Sequence, residues 1–149
     1  MDLEAVRSSL EASGGDTDAL PPRFFDEFVL HGLRIDLIEP GRVLCSMPVP
    51  PRLTSGGSFL HGGVTASLVD LIGSAVFYSI GLPTCGVSLE ITVSYMDAAF
   101  IKEEIEIEAK LLHAGKAVGV SSVEFRKKGT GKIIAQARHT KYLAVSSKL

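Results

Sequence analysis

Apolar residues near the start of the chain recur at the spacing of an α-helix. In residues 2–12 these are Leu3, Val6 and Leu10, which predicts a first helix. Segment 13–22, SGGDTDALPP, contains the glycines and prolines that end helices, and it indicates a linker. Residues 23–32 predict a second, short helix with three aromatic residues on one face: Phe24, Phe25 and Phe28.

From residue 33 the apolar pattern changes to a period of two. Residues 33–50 alternate on both sides of EPG, which is typical of two strands joined by a hairpin turn. Residues 51–58, PRLTSGGS, have the composition of a loop. Residues 62–80 are rich in Ala, Leu, Val and Ile and apolar on nearly every side, which predicts a helix buried all round.

Four strand-like segments follow this long helix, at 85–97, 103–114, 116–128 and 132–145. The turns HAGK and KKGTGK between the later segments suit hairpins. EIEIEAKL alternates charged and apolar residues, so one face of that strand meets solvent and the other meets the core. A long apolar helix needs a concave apolar surface, so we expect an α+β fold in which an antiparallel sheet curls around the helix.

The composition narrows the class of protein. The chain has 149 residues, 46% of them hydrophobic and 21% charged, with a formal net charge of -2, so no basic face for nucleic acid is expected. Cys45 and Cys85 are predicted to be reduced thiols, and the four histidines are scattered, so a metal site is not expected. No apolar run reaches the ~20 residues of a membrane span, and a soluble protein is expected.

The candidate chemistry lies in FLHGGVTASLVDLIGSAVFYSIG, residues 59–81. A helix that begins at Gly62 or Gly63 presents unpaired backbone N–H groups and the positive end of its dipole. Glycine also lets a substrate carbonyl approach the backbone closely, because no Cβ is in the way. The sequence therefore predicts an oxyanion site, although a tight strand-to-helix turn explains the two glycines equally well.

Asp70 lies among apolar residues of the same helix, where an unpaired buried carboxylate is costly. It either accepts structural hydrogen bonds, for example from Ser67 or Ser74, or acts in catalysis. Gly62 and Asp70 are about 12 Å apart at ~1.5 Å per residue, whereas a bound carbonyl needs its water and base within ~3 to 4 Å. If Asp70 acts, two antiparallel helices of a dimer must build each site.

Four motifs in order resemble those of the hotdog-fold acyl-CoA thioesterases, in the branch of mammalian thioesterase superfamily member 2 and its plant relatives. They are LHGGVTASLVD, GVSLEITVSYMDAA, HAGKAV and TGKIIAQARHTKY, and the resemblance covers about residues 30–143. It implies a hotdog fold, assembled as dimers and commonly as dimers of dimers. It also implies hydrolysis of acyl-CoA to CoA and a carboxylic acid without a metal or redox cofactor, since CoA belongs to the substrate.

The resemblance also implies roles for individual residues. Asp70 would be the general base on water or a nucleophile on the thioester, with Ser88 placing the water. The Gly62 amide would be the oxyanion donor, and His61 would orient the turn. Contacts to the thioester and the pantetheine arm would fall on Gly63 and along 95–100 and 113–118, including Tyr95, Met96, Ala99, His113, Gly115 and Lys116. Lys116 could equally be a solvated charge of its hairpin.

One position departs from the family pattern. Many relatives carry Asn six residues before the histidine of the HGG turn, and this chain carries Ser55. Serine can still donate one hydrogen bond but reaches less far, and loss of one such donor can cost ~3 kcal/mol of transition-state stabilisation. We therefore expect reduced activity or altered substrate choice, and a non-catalytic acyl-CoA binding module is the alternative function.

Two further alternatives concern chemistry and substrate. A hotdog-fold hydratase or dehydratase is disfavoured, because the spacing in HGGVTASLVD does not match the motifs of those relatives. Aromatic acyl groups and medium- or long-chain fatty acyl groups all remain open. The basic run RKKGTGK, 126–132, fits either a site for the CoA 3′-phosphate or the tip of a solvated hairpin.

The chain divides into three parts by these patterns. Residues 1–29 form an N-terminal helical extension, 30–145 the hotdog domain, and 146–149 a tail. The tail ends in Ser147, Lys148 and Leu149, a tripeptide that the peroxisomal import receptor binds when it is exposed at the free carboxylate. The first residues lack the features of a secretory signal, so we expect a peroxisomal location, with a chance tripeptide as the alternative.

Overall fold

The computed structural model describes residues 2–11 and 19–144. The helices are α1 (Leu3–Glu11), α2 (Phe24–Leu30) and α3 (Gly62–Ser79), and a short 3-10 helix spans Pro51–Leu53. The strands are β1 (Arg34–Glu39), β2 (Arg42–Pro48), β3 (Val87–Tyr95), β4 (Glu104–Ala114), β5 (Val118–Lys127) and β6 (Ile133–Tyr142). The predicted order of elements is confirmed. The tail residues Ser147, Lys148 and Leu149 lie outside the described residues.

The strands form one antiparallel sheet in the order β1-β2-β4-β5-β6-β3. Hairpins join β1 to β2, β4 to β5 and β5 to β6, as the turn sequences predicted. The register is set so that inward-facing residues stack across the sheet, for example Cys45 opposite Ile107 and Val123 opposite both Ala109 and Ala137. The predicted α+β class is confirmed, and the architecture is that of the hotdog fold.

The helix α3 packs against the concave face of this sheet. Alternate residues of β4 point inward, so Ile105, Ile107 and Ala109 are fully buried. They meet Leu68 and Val76 of α3, which are also fully buried. Burial of each aliphatic side chain of this size is worth about 1.5–3 kcal/mol, so the period-two pattern of the strands and the apolar sequence of α3 together hold the helix in place.

The prediction that α3 is buried all round is wrong for the single chain. One face of the helix stays open, because the sheet curls around the other side only. Gly63, Asp70 and Tyr78 lie on this open face, and the Asp70 side chain is 52% exposed. Small residues such as Gly63 and Ser67 do not distinguish a buried face from an open one, so their presence made the pattern look apolar on every side. The cost of a buried carboxylate therefore does not apply to Asp70 within one chain.

The N-terminal helices differ in how they contact the domain. No residue of α1 is buried, whereas α2 packs on α3 through Val29, which is 1% exposed and belongs to the core. Arg52 holds the end of α2, since its guanidinium donates hydrogen bonds to the carbonyl oxygens of Phe28 at 2.9 Å and His31 at 2.5 Å. The packed part of the molecule therefore begins before residue 30.

Both cysteines are free thiols in the structure. Cys45 is buried in the core between β1 and β4, and burial raises the pKa of its thiol to about 11. Cys85 lies in the loop that precedes β3. Cys45 therefore offers no ionised sulfur to chemistry near neutral pH.

Candidate active site

The helix α3 begins with a capped turn at the HGG motif. His61 has extended backbone angles, φ -63° and ψ 131°, and its Nδ1 accepts a hydrogen bond from the Gly63 N–H at 2.9 Å. The Gly62 N–H, in contrast, donates to no acceptor within residues 2–11 and 19–144. The Gly62 N–H therefore lies at the positive end of the helix dipole and is available to a ligand oxygen.

The two glycines of the turn have different structural reasons. A Cβ at Gly63 would lie 3.1 Å from His61 Nδ1, so a side chain there would press on the cap. A Cβ at Gly62 would meet only the ring of Tyr95 at 3.5 Å, an ordinary contact, and the φ of Gly62 is not in the left-handed region. The tight turn therefore accounts for Gly63 but not for Gly62, which favours a functional reason for Gly62.

A cavity of about 230 Å³ lies beside Gly62. Its lining includes Gly62, Tyr95 and Ala99, and the Tyr95 hydroxyl donates a hydrogen bond to the Gly62 carbonyl oxygen at 2.6 Å. The structure thus brings the HGG turn together with most of the predicted 95–100 segment. Met96, from the same segment, is 53% exposed and does not line this cavity.

Asp70 lies in a second cluster with two residues from the sheet. The Ser88 hydroxyl, at the start of β3, donates to the Asp70 carboxylate at 3.5 Å. The same hydroxyl lies 2.7 Å from Nε2 of His139 on β6, and this Nε2 is 3.8 Å from the Asp70 carboxylate. Asp70 and Ser88 therefore lie together in the structure, and His139 completes a group of three.

His139 is fully buried beneath this cluster. Burial lowers the pKa of its imidazole, the Lys141 ammonium lowers it further, and the Asp70 carboxylate acts in the opposite direction. The ring is therefore neutral near pH 7. Its Nδ1 makes no hydrogen bond to any described residue, which leaves Nε2 as the edge that acts on Ser88.

His139 has no role in the predictions from sequence, where it is one of four scattered histidines. The signal that could have found it is the alternation along β6, where Ala135, Ala137, His139 and Lys141 all face inward. Two ionisable residues on the core face of a strand are unusual, and Lys141 is itself held by a 2.8 Å hydrogen bond to Ser74.

Other predicted residues lie elsewhere in the structure. His113, Gly115 and Lys116 lie at the exposed hairpin between β4 and β5, and Lys116 forms no ion pair with a described residue. Ser55 lies in the loop before α3, where its hydroxyl approaches the Phe59 carbonyl oxygen at 3.4 Å. Within the described part of the chain, neither these hairpin residues nor Ser55 make a hydrogen bond to Gly62 or Asp70.

Basic residues of the run 126–132 form ion pairs with acidic side chains of the protein. Arg126 contacts three glutamates on neighbouring strands: Glu106, Glu108 and Glu124. Lys132 lies 2.9 Å from Asp97, and Lys127 lies 3.2 Å from Glu103. These ion pairs favour a structural role for the run over a phosphate site. Among residues 2–11 and 19–144, no cluster of three or more His, Cys, Asp or Glu side chains is arranged to hold a metal ion.

A hotdog fold with a free amide at the start of its central helix and a carboxylate cluster further along it defines an acyl-transfer class of hydrolase. Comparisons with known proteins give the family. The model described as "Thioesterase superfamily" matches residues 57–134, which include Gly62, Asp70 and Ser88. The chain belongs to this superfamily and is a thioester hydrolase, as the sequence motifs predicted.

Individual relatives agree with this assignment. The human protein "Acyl-coenzyme A thioesterase 13" is 40% identical over 117 residues, which cover 78% of this chain and 84% of the human protein. The structure of zebrafish thioesterase superfamily member 2 superposes with a TM-score of 0.76 at 34% identity and covers 95% of both chains. That of the mouse protein has the same TM-score at 40% identity, covering 81% of this chain and 89% of the mouse chain.

Proposed function

We propose that this chain hydrolyses acyl-CoA in a homodimer whose two active sites are each built by both subunits. The observation that carries the proposal is the placement of the Gly62 amide and the Asp70 cluster on one helix. They lie eight positions apart, or about 12 Å along α3, so a single chain cannot apply both to one thioester. The name of the human relative supports acyl-CoA as the substrate.

Asp70 is proposed as the general base. Its carboxylate is half-exposed on the open face of α3, and Ser88 donates to one of its oxygens. The other oxygen is available to take a proton from water. The water oxygen attacks the thioester carbonyl carbon, and the negative charge that develops on the carbonyl oxygen is held by the Gly62 N–H of the other subunit.

The reaction then completes by loss of the thiol. The tetrahedral intermediate re-forms its carbonyl as the C–S bond breaks, and the CoA sulfur takes up the proton, either from Asp70 or from solvent. The products are CoA and a carboxylic acid, and Asp70 ends in the ionised state in which it began. Asp70 as a nucleophile is the alternative role. Its carboxylate oxygen then attacks the same carbon, the C–S bond breaks to release the CoA thiolate, and water hydrolyses the resulting mixed anhydride to the carboxylic acid and ionised Asp70.

Two exposed features support the dimer. β3 is an edge strand of the sheet, and it presents Val87, Leu89 and Tyr95 at 53%, 58% and 55% exposure. An unpaired edge with apolar side chains is a template for pairing with a second chain. The open face of α3, with Asp70 at its centre, is the second feature. Pairing of dimers into a tetramer is part of the proposal, as is a peroxisomal location through Ser147, Lys148 and Leu149.

The cavity beside Gly62 is proposed to hold the pantetheine arm next to the thioester. Tyr95 and Ala99 line this cavity. Beside it, Phe59 in the loop before α3 forms a β-bridge with Phe100 in the loop between β3 and β4. Their rings stand edge to face with centroids 6.3 Å apart. Lys116, Gly115 and His113 at the β4–β5 hairpin are proposed to contact the CoA phosphates, with the Lys116 ammonium free to do so.

The shared-site mechanism can be tested by mixing two inactive variants. Asp70→Asn removes the base, and Gly62→Pro removes the N–H at the first helical position, where proline is tolerated. Mixed dimers contain one site with both defects and one intact site. Random exchange of the inactive variants is therefore expected to restore ~25% of wild-type thiol release. Gly62→Ala keeps the N–H but adds a Cβ beside the substrate carbonyl, so it separates loss of the donor from loss of space. Gly129→Ala, whose Cβ would meet nothing within 4 Å, is the control that should retain activity.

Three outcomes would contradict the proposal. Undiminished thiol release by Asp70→Asn would remove its assigned role. Failure of the mixed variants to recover activity, in dimers shown to have exchanged, would place both groups in one subunit's site. Tight binding of acyl-CoA by the wild type without thiol release would favour the non-catalytic binding module. Fluorescent fusions with and without residues 147–149 test the location.

A further inference from the structure

Lys141 is a second ionisable side chain on the inward face of β6, two positions after His139, and it is only 3% exposed. The strand register places it opposite Ser88 of β3, at the edge of the cluster around Asp70. Lysine is almost never fully buried unless an opposite charge pairs with it, because an ammonium loses its hydration in a protein interior. The burial of Lys141 therefore needs a reason.

The contacts of the Lys141 ammonium do not include an ion pair in the described part of the chain. Its Nζ donates to the Ser74 hydroxyl oxygen at 2.8 Å. No carboxylate of residues 2–11 and 19–144 lies within 4.0 Å of this nitrogen, whereas Lys127 and Lys132 pair with acidic side chains. The charge is therefore not buried in order to form an ion pair within these residues.

Lys141 ties the sheet to the turn of α3 that follows Asp70. Ser74 comes four residues after Asp70, so the two side chains lie on the same face of the helix, one turn apart. The Ser121 hydroxyl of β5 donates to the Gly73 carbonyl oxygen at 3.2 Å and makes a second tie to this turn. The two contacts fix where this part of α3 lies on the sheet, and with it the position of the Asp70 carboxylate.

The Lys141 charge also acts on His139. Three elements pack around the imidazole: α3 presents the Asp70 carboxylate, 3.8 Å from Nε2, whereas β3 and β5 present the hydroxyls of Ser88 and Ser121. Among the described residues, Asp70 and Lys141 are therefore the charged groups that face the ring. Burial lowers the pKa of the imidazole most, the Lys141 ammonium lowers it further, and Asp70 raises it. Lys141 thus opposes the protonation that Asp70 favours.

The charge of the His139 ring matters for the proposed base. A protonated imidazole donates from both ring nitrogens, and at 3.8 Å it would pair with the Asp70 carboxylate. A neighbouring cation makes a carboxylate less basic, so a charged ring would weaken Asp70 as the acceptor of the water proton. A neutral ring leaves the carboxylate available for that step.

We infer that Lys141 is a positioning residue for the hydrolysis: its buried ammonium anchors the Asp70 turn of α3 through Ser74 and keeps the neighbouring His139 ring uncharged. The inference rests on the proposed function for the role of Asp70. It also explains why the ammonium has no carboxylate partner among the described residues, since a nearby anion would cancel much of its effect on the ring.

The test removes the charge and the anchor separately. Lys141→Met removes the charge and the hydrogen bond but keeps most of the side-chain length. Lys141→Arg keeps the charge, and Ser74→Ala removes the hydroxyl without removing the charge. Lys110→Met, on the outer face of β4 where the Lys110 side chain is 54% exposed, is the matched control.

Three measurements are made on each variant. NMR follows the titration of the His139 imidazole, whose signals are assigned by their absence from His139→Gln. Thiol release from dodecanoyl-CoA gives kcat and KM at pH 6 and pH 8. Urea unfolding at pH 8 gives the free energy of unfolding.

Lys141→Met should move the midpoint of the imidazole titration to higher pH by about one unit, as expected for loss of a nearby charge. Because the ring then protonates earlier as pH falls, the ratio of kcat at pH 8 to kcat at pH 6 should exceed that of the wild type by up to about tenfold, with KM little changed. Lys141→Arg should restore the wild-type midpoint and ratio. Ser74→Ala should lower kcat by a similar factor at both pH values, and Lys110→Met should match the wild type.

A purely structural role for Lys141 gives a different pattern. Lys141→Met would then be less stable and would lose activity equally at both pH values. That result, or an unchanged midpoint of the imidazole titration, overturns the inference. Removal of a buried charge should instead leave the variant at least as stable as the wild type. If Lys141→Met does not fold, Lys141→Gln, which is uncharged but has a donor amide, decides by the same titration.

The outcomes also separate this inference from the proposed function. If the wild type releases no thiol while the midpoint in Lys141→Met moves as expected, the proposed function fails and the action of Lys141 on His139 stands without the reaction. If hydrolysis requires Asp70 but neither the midpoint nor the kcat ratio changes in Lys141→Met, the inference about Lys141 fails alone.

Discussion

The His139 Nε2 atom lies 2.7 Å from the Ser88 hydroxyl oxygen, and this partly buried contact joins β6 to the start of β3 beside the Asp70 carboxylate. Ser88 therefore has a neutral imidazole on one side and a carboxylate on the other. A hydroxyl held from both sides cannot rotate freely, so the position of Asp70 depends on a side chain that it reaches mainly through Ser88.

His139 is predicted to be a positioning residue for Asp70. His139→Ala should lower kcat by up to about a hundredfold, the low end of the range by which positioned acid–base groups act, and should change KM little. Ser88→Ala should give a loss of similar size. Because both act through the same carboxylate, the double variant should lose no more than the larger single loss, as measured by steady-state thiol release.

A purely structural role for His139 would give another pattern. The variants would lose stability and activity in parallel, and a double variant would show the product of the two single effects. Thr92→Ala provides a matched control, since Thr92 lies on the same strand as Ser88 and its hydroxyl contacts Glu90 at 3.0 Å, away from the cluster.

The lowered pKa of His139 predicts a pH-dependent stability. The unfolded chain takes up a proton on this imidazole near pH 6.5, whereas the folded chain resists it because the ring is buried and Lys141 is close. The unfolded state therefore binds more protons in that window, and the free energy of unfolding should fall as pH drops below about 6.5. Urea unfolding at pH 7.5 and pH 5.5 measures the difference.

His139→Gln should remove the part of this pH dependence that the imidazole contributes. The difference in the free energy of unfolding between the two pH values should then be smaller in the variant than in the wild type. An equal or larger difference in the variant would show that other groups carry the pH dependence and that His139 protonates freely in the folded state.

The sequence predicted the scaffold well because burial on a strand or helix has a fixed period. The alternation in EIEIEAKL placed Ile105 and Ile107 in the core. The HGG turn predicted that the long helix begins at Gly62 or Gly63, and α3 begins at Gly62. Patterns of this kind are local. They required no knowledge of which strands are neighbours, and the hairpin turns supplied most of the sheet order.

The cluster around Asp70 could be predicted only in part, because its contacts join residues that are far apart in the sequence. Ser88 and His139 are 51 positions apart, and they meet because β3 pairs with β6 at the edge of the sheet. Two strands, β4 and β5, lie between β3 and β6 along the chain. This pairing is therefore not indicated by the sequence of a hairpin turn. The packing of α2 could not be predicted for the same reason, since its aromatic face indicated a helix but not its contact with α3.

Gly73 is predicted to be required for the approach of α3 to the sheet. A Cβ there would lie 3.1 Å from the Ser121 hydroxyl oxygen and 3.2 Å from His139 Nδ1. Alanine inside a helix normally stabilises by ~0.5–1 kcal/mol relative to glycine, but overpacking typically costs ~1–3 kcal/mol. Gly73→Ala should therefore lower the free energy of unfolding by about 1 kcal/mol and reduce turnover by displacing His139.

Gly129→Ala is the control for this substitution. A Cβ at Gly129 would meet nothing within 4 Å, in the turn between β5 and β6. Its free energy of unfolding should match the wild type within about 0.5 kcal/mol, and its turnover should be unchanged. A Gly73→Ala variant as stable and as active as the wild type would show that the helix can shift away from the sheet without cost.

Ser55 offers a prediction in the direction of gained activity. Its hydroxyl makes only a 3.4 Å contact with the Phe59 carbonyl oxygen, while its backbone N–H donates to the same oxygen at 2.9 Å, so the loop conformation does not depend on the side chain.

Ser55→Asn extends a donor amide from this fixed backbone. If the amide reaches the thioester carbonyl, kcat should rise, by up to about a hundredfold where one oxyanion donor is restored, as measured by thiol release. Ser55→Ala should change kcat little, because the Ser55 hydroxyl is directed at the Phe59 carbonyl oxygen. A rate for Ser55→Asn equal to that of Ser55→Ala would mean that position 55 does not face the reacting carbonyl, and that the Gly62 N–H holds the oxyanion without it.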